Sequence, residues 1–426
     1  MAADPDLQAG VTPRIGLLVI AREWSRIGIT GFGGPPAHIA LLRRLCVDRN
    51  QWLSATEFED GISATSLLPG PASTQLAIYC AWRLAGPFGA FIGGACFIVP
   101  GLIIILALSV LFLANSPPDW VTGAAAGAGA AVPAVALNAA MGLAPASWRR
   151  ANPARAAADA ESRRWPEWRS RPVTAAGVRW LAYLVAGGVA ANLAGQYLVA
   201  VLLGCGLCEW LTTGRYGAGR DSAGRDSAGL NGAGLNGGAV LVPLAAKVVT
   251  AAALGSLAWV AIKVGALSFG GGFVIIPMMQ HDAVRTYHWM TTAQFLSAVA
   301  LGQVTPGPVV QTVAVVGYAA AGIGGGLLAA VVAFAPSFGF VLAGGPHFDR
   351  FRRSATAQAF LAGSGPAAIG AIAGAAVTLG FGLTQLWQVA VLAGAIGWLV
   401  PLRRGVVSAI LASAGIGIIL GLAGVG

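Results

Sequence analysis

Long apolar runs separated by short polar islands make up most of this chain. One of them, PFGAFIGGACFIVPGLIIILALSVLFLAN from Pro87 to Asn115, carries no charge. It is well beyond the ~20 residues that cross a bilayer as a helix. Comparable runs lie near residues 60–82, 120–144, 178–212, 239–262, 294–320, 322–343, 357–380 and 384–426. Several could hold two crossings, so the pattern predicts roughly ten to thirteen transmembrane helices. Hydrocarbon offers the backbone no partners. The expected fold is therefore an all-α polytopic membrane protein.

Two runs are interrupted in the same way. SLLPGPASTQ spans Ser66 to Gln75, and QVTPGPVVQT spans Gln303 to Thr312. Proline removes a backbone donor and glycine loosens the chain, and in lipid such breaks survive only inside protein or along a wet cavity. A broken helix also exposes a new N-terminus, where unpaired amides and the helix dipole favour an anion. Ser73, Thr74 and Gln75 follow Pro69-Gly70-Pro71, and Gln311 follows Thr305-Pro306-Gly307-Pro308. The alternative is a proline kink that only shapes packing.

These breaks belong to an internal duplication. A shift of 237 positions lays Arg26 on Lys263, Phe32-Gly33-Gly34 on Phe269-Gly270-Gly271, Trp52 on Trp289, and Pro69-Gly70-Pro71 on Pro306-Gly307-Pro308. The same shift puts Gly89 on Gly326. One residue later in register, Pro100 meets Pro336. The chain divides into a first repeat at 12–144, a connecting region at 145–238, a second repeat at 239–380 and apolar spans at 381–426. Basic residues exchange places between the loops of the two halves, which suggests inverted repeats.

The second matched element is ITGFGGPPAH, with Thr30, Phe32, Gly33, Gly34, Pro35 and His38, against ALSFGGGFVI, with Ser268, Phe269, Gly270, Gly271 and Gly272. Small residues in a row admit close approach by a ligand or by another helix. Arg26 and Lys263 precede the two glycine runs at equivalent positions. A cation within an apolar stretch is a functional candidate, with snorkelling as the alternative. No acid is read as lying deep in an apolar run. Glu57 and Asp60, ahead of the first PGP, are candidates for proton coupling or simply the start of a helix capped by Ser54.

Composition sharpens this picture in three respects. Hydrophobic residues make up 56% and charged residues 10%, with a mean hydropathy of +0.73. That is far below the ~25% charge of a soluble domain, so the bilayer is the expected partner. The net charge of +10 sits in short loops, where the positive-inside rule explains it better than nucleic acid. The densest cluster, Ser147 to Pro172, is expected in the cytoplasm. Third, the five cysteines are scattered, and the Cys205–Cys208 pair lacks a second ligand pair. No metal, cofactor or cleavable leader is expected, and no enzyme fingerprint is present.

FGGPPAH at Phe32–His38, LLPGP at Leu67–Pro71, SFGGGFVIIP at Ser268–Pro277 and TPGP at Thr305–Pro308 resemble the chromate ion transporter family, in its long two-domain form. The resemblance implies a multi-pass inner-membrane exporter of chromate that confers resistance, driven by the membrane potential or the proton gradient. Sulfate is the natural look-alike, and a sulfate importer or channel is the rival reading. A homodimer is compatible with the sequence.

Overall fold

A computed structural model describes residues 15–66, 68–114, 117–152, 174–193, 197–217, 251–268, 275–344 and 354–424. Among these the regular structure is helical, with no strand. The first seven helices are α1 (Leu17–Thr30), α2 (Pro35–Arg43), α3 (Ala55–Thr65), α4 (Ala72–Phe112), α5 (Asp119–Ala151), α6 (Ala175–Leu193) and α7 (Leu198–Gly217). The next seven are α8 (Ala251–Ala266), α9 (Ile275–Gln280), α10 (Thr292–Val304), α11 (Thr312–Gly344), α12 (Ala355–Phe381), α13 (Leu386–Leu399) and α14 (Val406–Leu422). The helical segments Ala72–Phe112, Asp119–Ala151, Val309–Gly344 and Ala355–Phe381 are long and apolar enough to cross a membrane, and shorter apolar helices accompany them.

The duplication is written into the backbone. α2 runs on into a π-helical turn at Arg44–Arg49, and α9 does so at His281–Thr286. Gln51 and His288 follow with φ of 49° and 52°, an uncommon conformation for a side-chain-bearing residue. Capping boxes then open α3 (Ser54 with Glu57) and α10 (Thr291 with Gln294), each satisfying two otherwise orphaned amides. Ala85-Gly86 and Ala321-Gly322 share one non-helical geometry, with φ of 65° and ψ of −156° at both glycines.

That last pair corrects a detail of the alignment, because it is offset by 236 rather than 237. The register changes between Pro71 and Ala85, so Gly89 corresponds to Gly325 rather than Gly326. A Cβ at Gly89 would lie 2.4 Å from Ala81 O, and one at Gly325 would lie 2.3 Å from Gly317 O. These approaches also show that the chain reverses at each glycine. A straight helix of 41 residues would run ~60 Å, twice the hydrocarbon thickness. Instead α4 folds back on itself, with limbs 72–84 and 87–112 side by side. The same reversal splits α11.

Contacts between the second limbs fix the relative direction of the repeats. Phe91 and Phe338 have ring centroids 5.4 Å apart. A Cβ on Gly94 would meet Phe338, and one on Gly326 would meet Leu106. Residue numbers rise on one limb as they fall on the other, so equivalent helices run antiparallel and the repeats are inverted. Applying the internal equivalence to these pairs centres the crossing on Ile98 and Phe334.

The helical pairs that end each half are exchanged. α12 packs on α6 and α7, while α5 packs on α13 and α14. A Cβ at Gly363 would lie 2.2 Å from Cys205 O, and one at Gly127 would lie 2.1 Å from Ser413 O. Such close backbone approach is open only to small residues, which do in membranes the packing that water drives elsewhere. Each repeat thus covers its partner's core, and the equivalence reaches past 144 and 380 to α7 and α14.

Candidate substrate site

The PGP breaks depend on glycine geometry. Gly70 has φ of 123° and Gly307 of 103°, a region closed to most side chains. Pro71 caps α4, and the amides of Thr74 and Gln75 bond to its carbonyl at 2.9 and 3.0 Å. The first-turn amides of Ala72 and Ser73 have no intrahelical acceptor. The FGG break differs from expectation. Pro35 and Pro36 open α2 without an N–H, and the amides of Ala37 and His38 bond back to Gly34 O. The donors at this break are therefore those of Gly33 and Gly34 in the loop, rather than a bare helix end.

Breaks from the two repeats meet at the helix crossing. The Gly307 amide donates to Gly31 O at 3.1 Å, and Gln311 Nε2 donates to Ile98 O at 2.8 Å. Its counterpart Gln75 donates to Pro69 O at 2.7 Å. His38 is fully buried. Its Nε2 lies 2.9 Å from Gly31 O and its Nδ1 3.3 Å from Ser73 Oγ. Donation to the carbonyl puts the proton on Nε2, so Nδ1 accepts from Ser73, and the ring ties both breaks of the first repeat together. Thr305 is also buried, its hydroxyl donating to Leu301 O. Thr74 Oγ1, Gln75 Oε1, Ser268 Oγ, Gln311 Oε1 and Ser337 Oγ are buried without a hydrogen-bond partner. Each such atom costs about 1–3 kcal/mol unless something polar completes it.

Beside the crossing lies a cavity of about 500 Å³. Gly33, Gly34 and Pro35 line it from the FGG loop, and Ser66 and Ala72 line it from either side of the first PGP. Asn138, Ser147 and Arg150 face it from α5, Gln303 from α10 and Ser364 from α12. Of the residues the sequence singles out, Gly33, Gly34 and Pro35 lie on the cavity wall, whereas Pro69, Gly70, Pro71, Ser73, Thr74, Gln75, Thr305, Pro306, Gly307, Pro308 and Gln311 do not, and the set from α5, α10 and α12 was missed. Asn138, a lone amide in the run AVALNAAMGLA, was a signal that could have been used.

Other candidates fall elsewhere. Arg26, Thr30 and Phe32 are exposed, and the Thr30 hydroxyl donates to Arg26 O within α1. Lys263 Nζ lies 2.5 Å from Asp282 Oδ2 and 5.6 Å from the Trp259 ring centroid. Asp282 and Glu209 are buried, so the expectation that no acid is deeply placed does not hold. Glu209 receives Arg179 at 2.8 and 3.0 Å and Tyr183 at 3.1 Å. Phe269, Gly270, Gly271 and Gly272 lie outside the described residues.

Glu57 pairs with Arg83 and closes the α3 capping box. Gln294 closes the equivalent box without a charge. Glu57→Gln is therefore expected to keep the cap and cost ~1 kcal/mol or less, as for a half-exposed ion pair. Flux across a pH series should stay within about twofold of wild type; a collapse of the pH dependence would assign Glu57 to coupling. Asp60 is half-buried on the same helix.

The family model described as chromate transporter matches residues 18–210 and 255–420. A probable chromate transport protein of Synechococcus elongatus is 28% identical over 388 residues, covering 88% of each chain. A chromate transport protein of Cupriavidus metallidurans is 29% identical, covering 86% of this chain and 83% of its own. One from Pseudomonas aeruginosa is 28% identical, covering 89% and 84%. No solved structure matches the chain.

Proposed function

Because the chain belongs to the chromate transporter family, we propose that it carries chromate out of the cell across the inner membrane, through the cavity at the FGG and PGP breaks. The observation that supports this most is the cavity itself, which opens between inverted repeats and gathers the first FGG loop, both flanks of the first PGP break and polar groups of α5, α10 and α12 on its wall. Inverted-repeat transporters hold substrate at such a place, and rocking of one repeat against the other exposes it to each side in turn. The outward direction draws support from where the cavity sits. It includes Arg150 at the end of α5, next to the basic segment that the positive-inside rule assigns to the cytoplasm. A cavity reached from that side loads a cytoplasmic anion. Export of a dianion is favoured by an inside-negative potential, worth ~2.3 kcal/mol per charge per 100 mV.

Inverted membrane vesicles carrying the protein are expected to accumulate labelled chromate when energised. An uncoupler should abolish the accumulation, and sulfate should compete. Flux that only ever runs downhill would reject coupled export in favour of a channel. Sulfate entry into intact cells without chromate export would favour an importer.

A further inference from the structure

We infer that Arg150, Gln303 and Asn138 form the recognition set for a tetrahedral oxyanion dianion, held partly hydrated against the first turn of α4 at Ala72. The inference rests on the transport reading above and assigns its binding chemistry to residues outside both glycine–proline motifs. Among the described residues of the cavity wall, Arg150 is the charged one, and it is exposed, so it can meet an incoming anion while still hydrated. Gln303 is the opposite case. It is 7% exposed, lines the cavity and holds an Nε2 with no acceptor. A buried donor without a partner at a cavity wall is what an oxyanion oxygen would complete. Asn138 adds an amide from the neighbouring helix, and the limb beginning at Ala72 adds the positive end of its dipole.

The size of the space sets the character of the site. A volume of about 500 Å³ equals that of roughly seventeen waters at ~30 Å³ each, far more than four oxygens around one centre need. The anion therefore keeps part of its hydration shell. One arginine leaves a dianion half neutralised, and hydrogen bonds and water carry the remainder. Weak, water-mediated binding suits release on the far side and gives little discrimination between chromate and sulfate. The set is also one-sided. By the internal equivalence Asn138 falls on Gly374 and Gln303 on Ser66, so among the described residues the set occurs once.

The test compares chromate uptake by inverted vesicles for wild type, Arg150→Gln, Arg150→Lys, Gln303→Leu and Arg149→Gln. Arg149 adjoins Arg150, is also exposed and is not part of the cavity wall. Losing a charged hydrogen bond to the anion should raise half-saturation about tenfold or more in Arg150→Gln. Arg150→Lys should recover part of that, Gln303→Leu should raise it severalfold, and Arg149→Gln should stay within about twofold. Equal effects from both arginines would reduce Arg150 to surface potential and overturn the inference while leaving transport intact. Absence of uptake by wild type would instead overturn the transport reading. Purified protein then decides the site: sulfate or chromate should raise its thermal midpoint, and the rise should vanish in Arg150→Gln and Gln303→Leu. No rise in wild type, or one that both variants keep, would end the inference. Midpoints without anion show whether each variant folds.

Discussion

Alanine at position 101 is expected to remove most chromate flux, while alanine at position 339 leaves it intact. A Cβ on Gly101 would stand 2.1 Å from Pro306 O and 2.6 Å from Gln311 Oε1. The carbonyl is backbone and cannot rotate away, so the second limb of α4 and the TPGP break must separate by about an ångström. That movement strains the Gln311–Ile98 hydrogen bond and the Gly307–Gly31 bond that bring the breaks together. Overpacking of this kind costs about 1–3 kcal/mol, and the distortion falls on the geometry that forms the site. Nothing approaches a Cβ at Gly339 within 4 Å, and there the helix gains up to ~1 kcal/mol from replacing glycine. Uptake and thermal midpoints of the two variants check this. Wild-type flux with an unshifted midpoint for Gly101→Ala would refute the close approach.

The apolar runs made the fold class legible, since a chain with this little charge has only lipid-compatible solutions. The duplication was legible because no insertion disturbs the stretch from Arg26 to Pro71, so glycines, prolines and aromatics keep one offset. Its extent was not. One residue is lost before the Ala85-Gly86 reversal, and a much longer connection separates α5 from α6 than α12 from α13. A fixed shift therefore loses α6–α7 and α13–α14. Inversion left only a faint charge exchange in the sequence; in the structure it follows from Phe91, Gly94 and Leu106 meeting the opposite limb. The breaks were readable because positive-φ glycines flanked by proline are rare in lipid. Arg150, Asn138 and Gln303 were not, because they become neighbours only when α5, α10 and α12 pack together. Asp282 was missed for a local reason. It sits among His281 and Arg285 in a stretch that reads as loop, and a π-helical turn carries it inward.

Asp282→Asn is expected to destabilise the protein severely, and Lys263→Met combined with Asp282→Leu to restore it. Lys263 and Asp282 have side chains only 19% and 8% exposed. Removing the acid strands a part-buried ammonium, a loss toward the lower end of the roughly 3–5 kcal/mol of a buried pair, whereas replacing both partners by apolar groups of similar volume is often neutral or stabilising. The first repeat shows that the architecture does not need this pair. There Arg26 corresponds to Lys263 and is exposed, and Leu45 corresponds to Asp282 and is buried. Thermal midpoints of the two singles and the double give the coupling between the partners. Flux in the double variant carries the functional weight. Because Asp282 already neutralises Lys263, and Arg150 is the cation on the cavity wall, transport should return along with stability. Recovery of the fold without recovery of flux would make Lys263 the anion's partner, released from Asp282 as the repeats rock. The dianion would then be met by two cations in turn rather than by one.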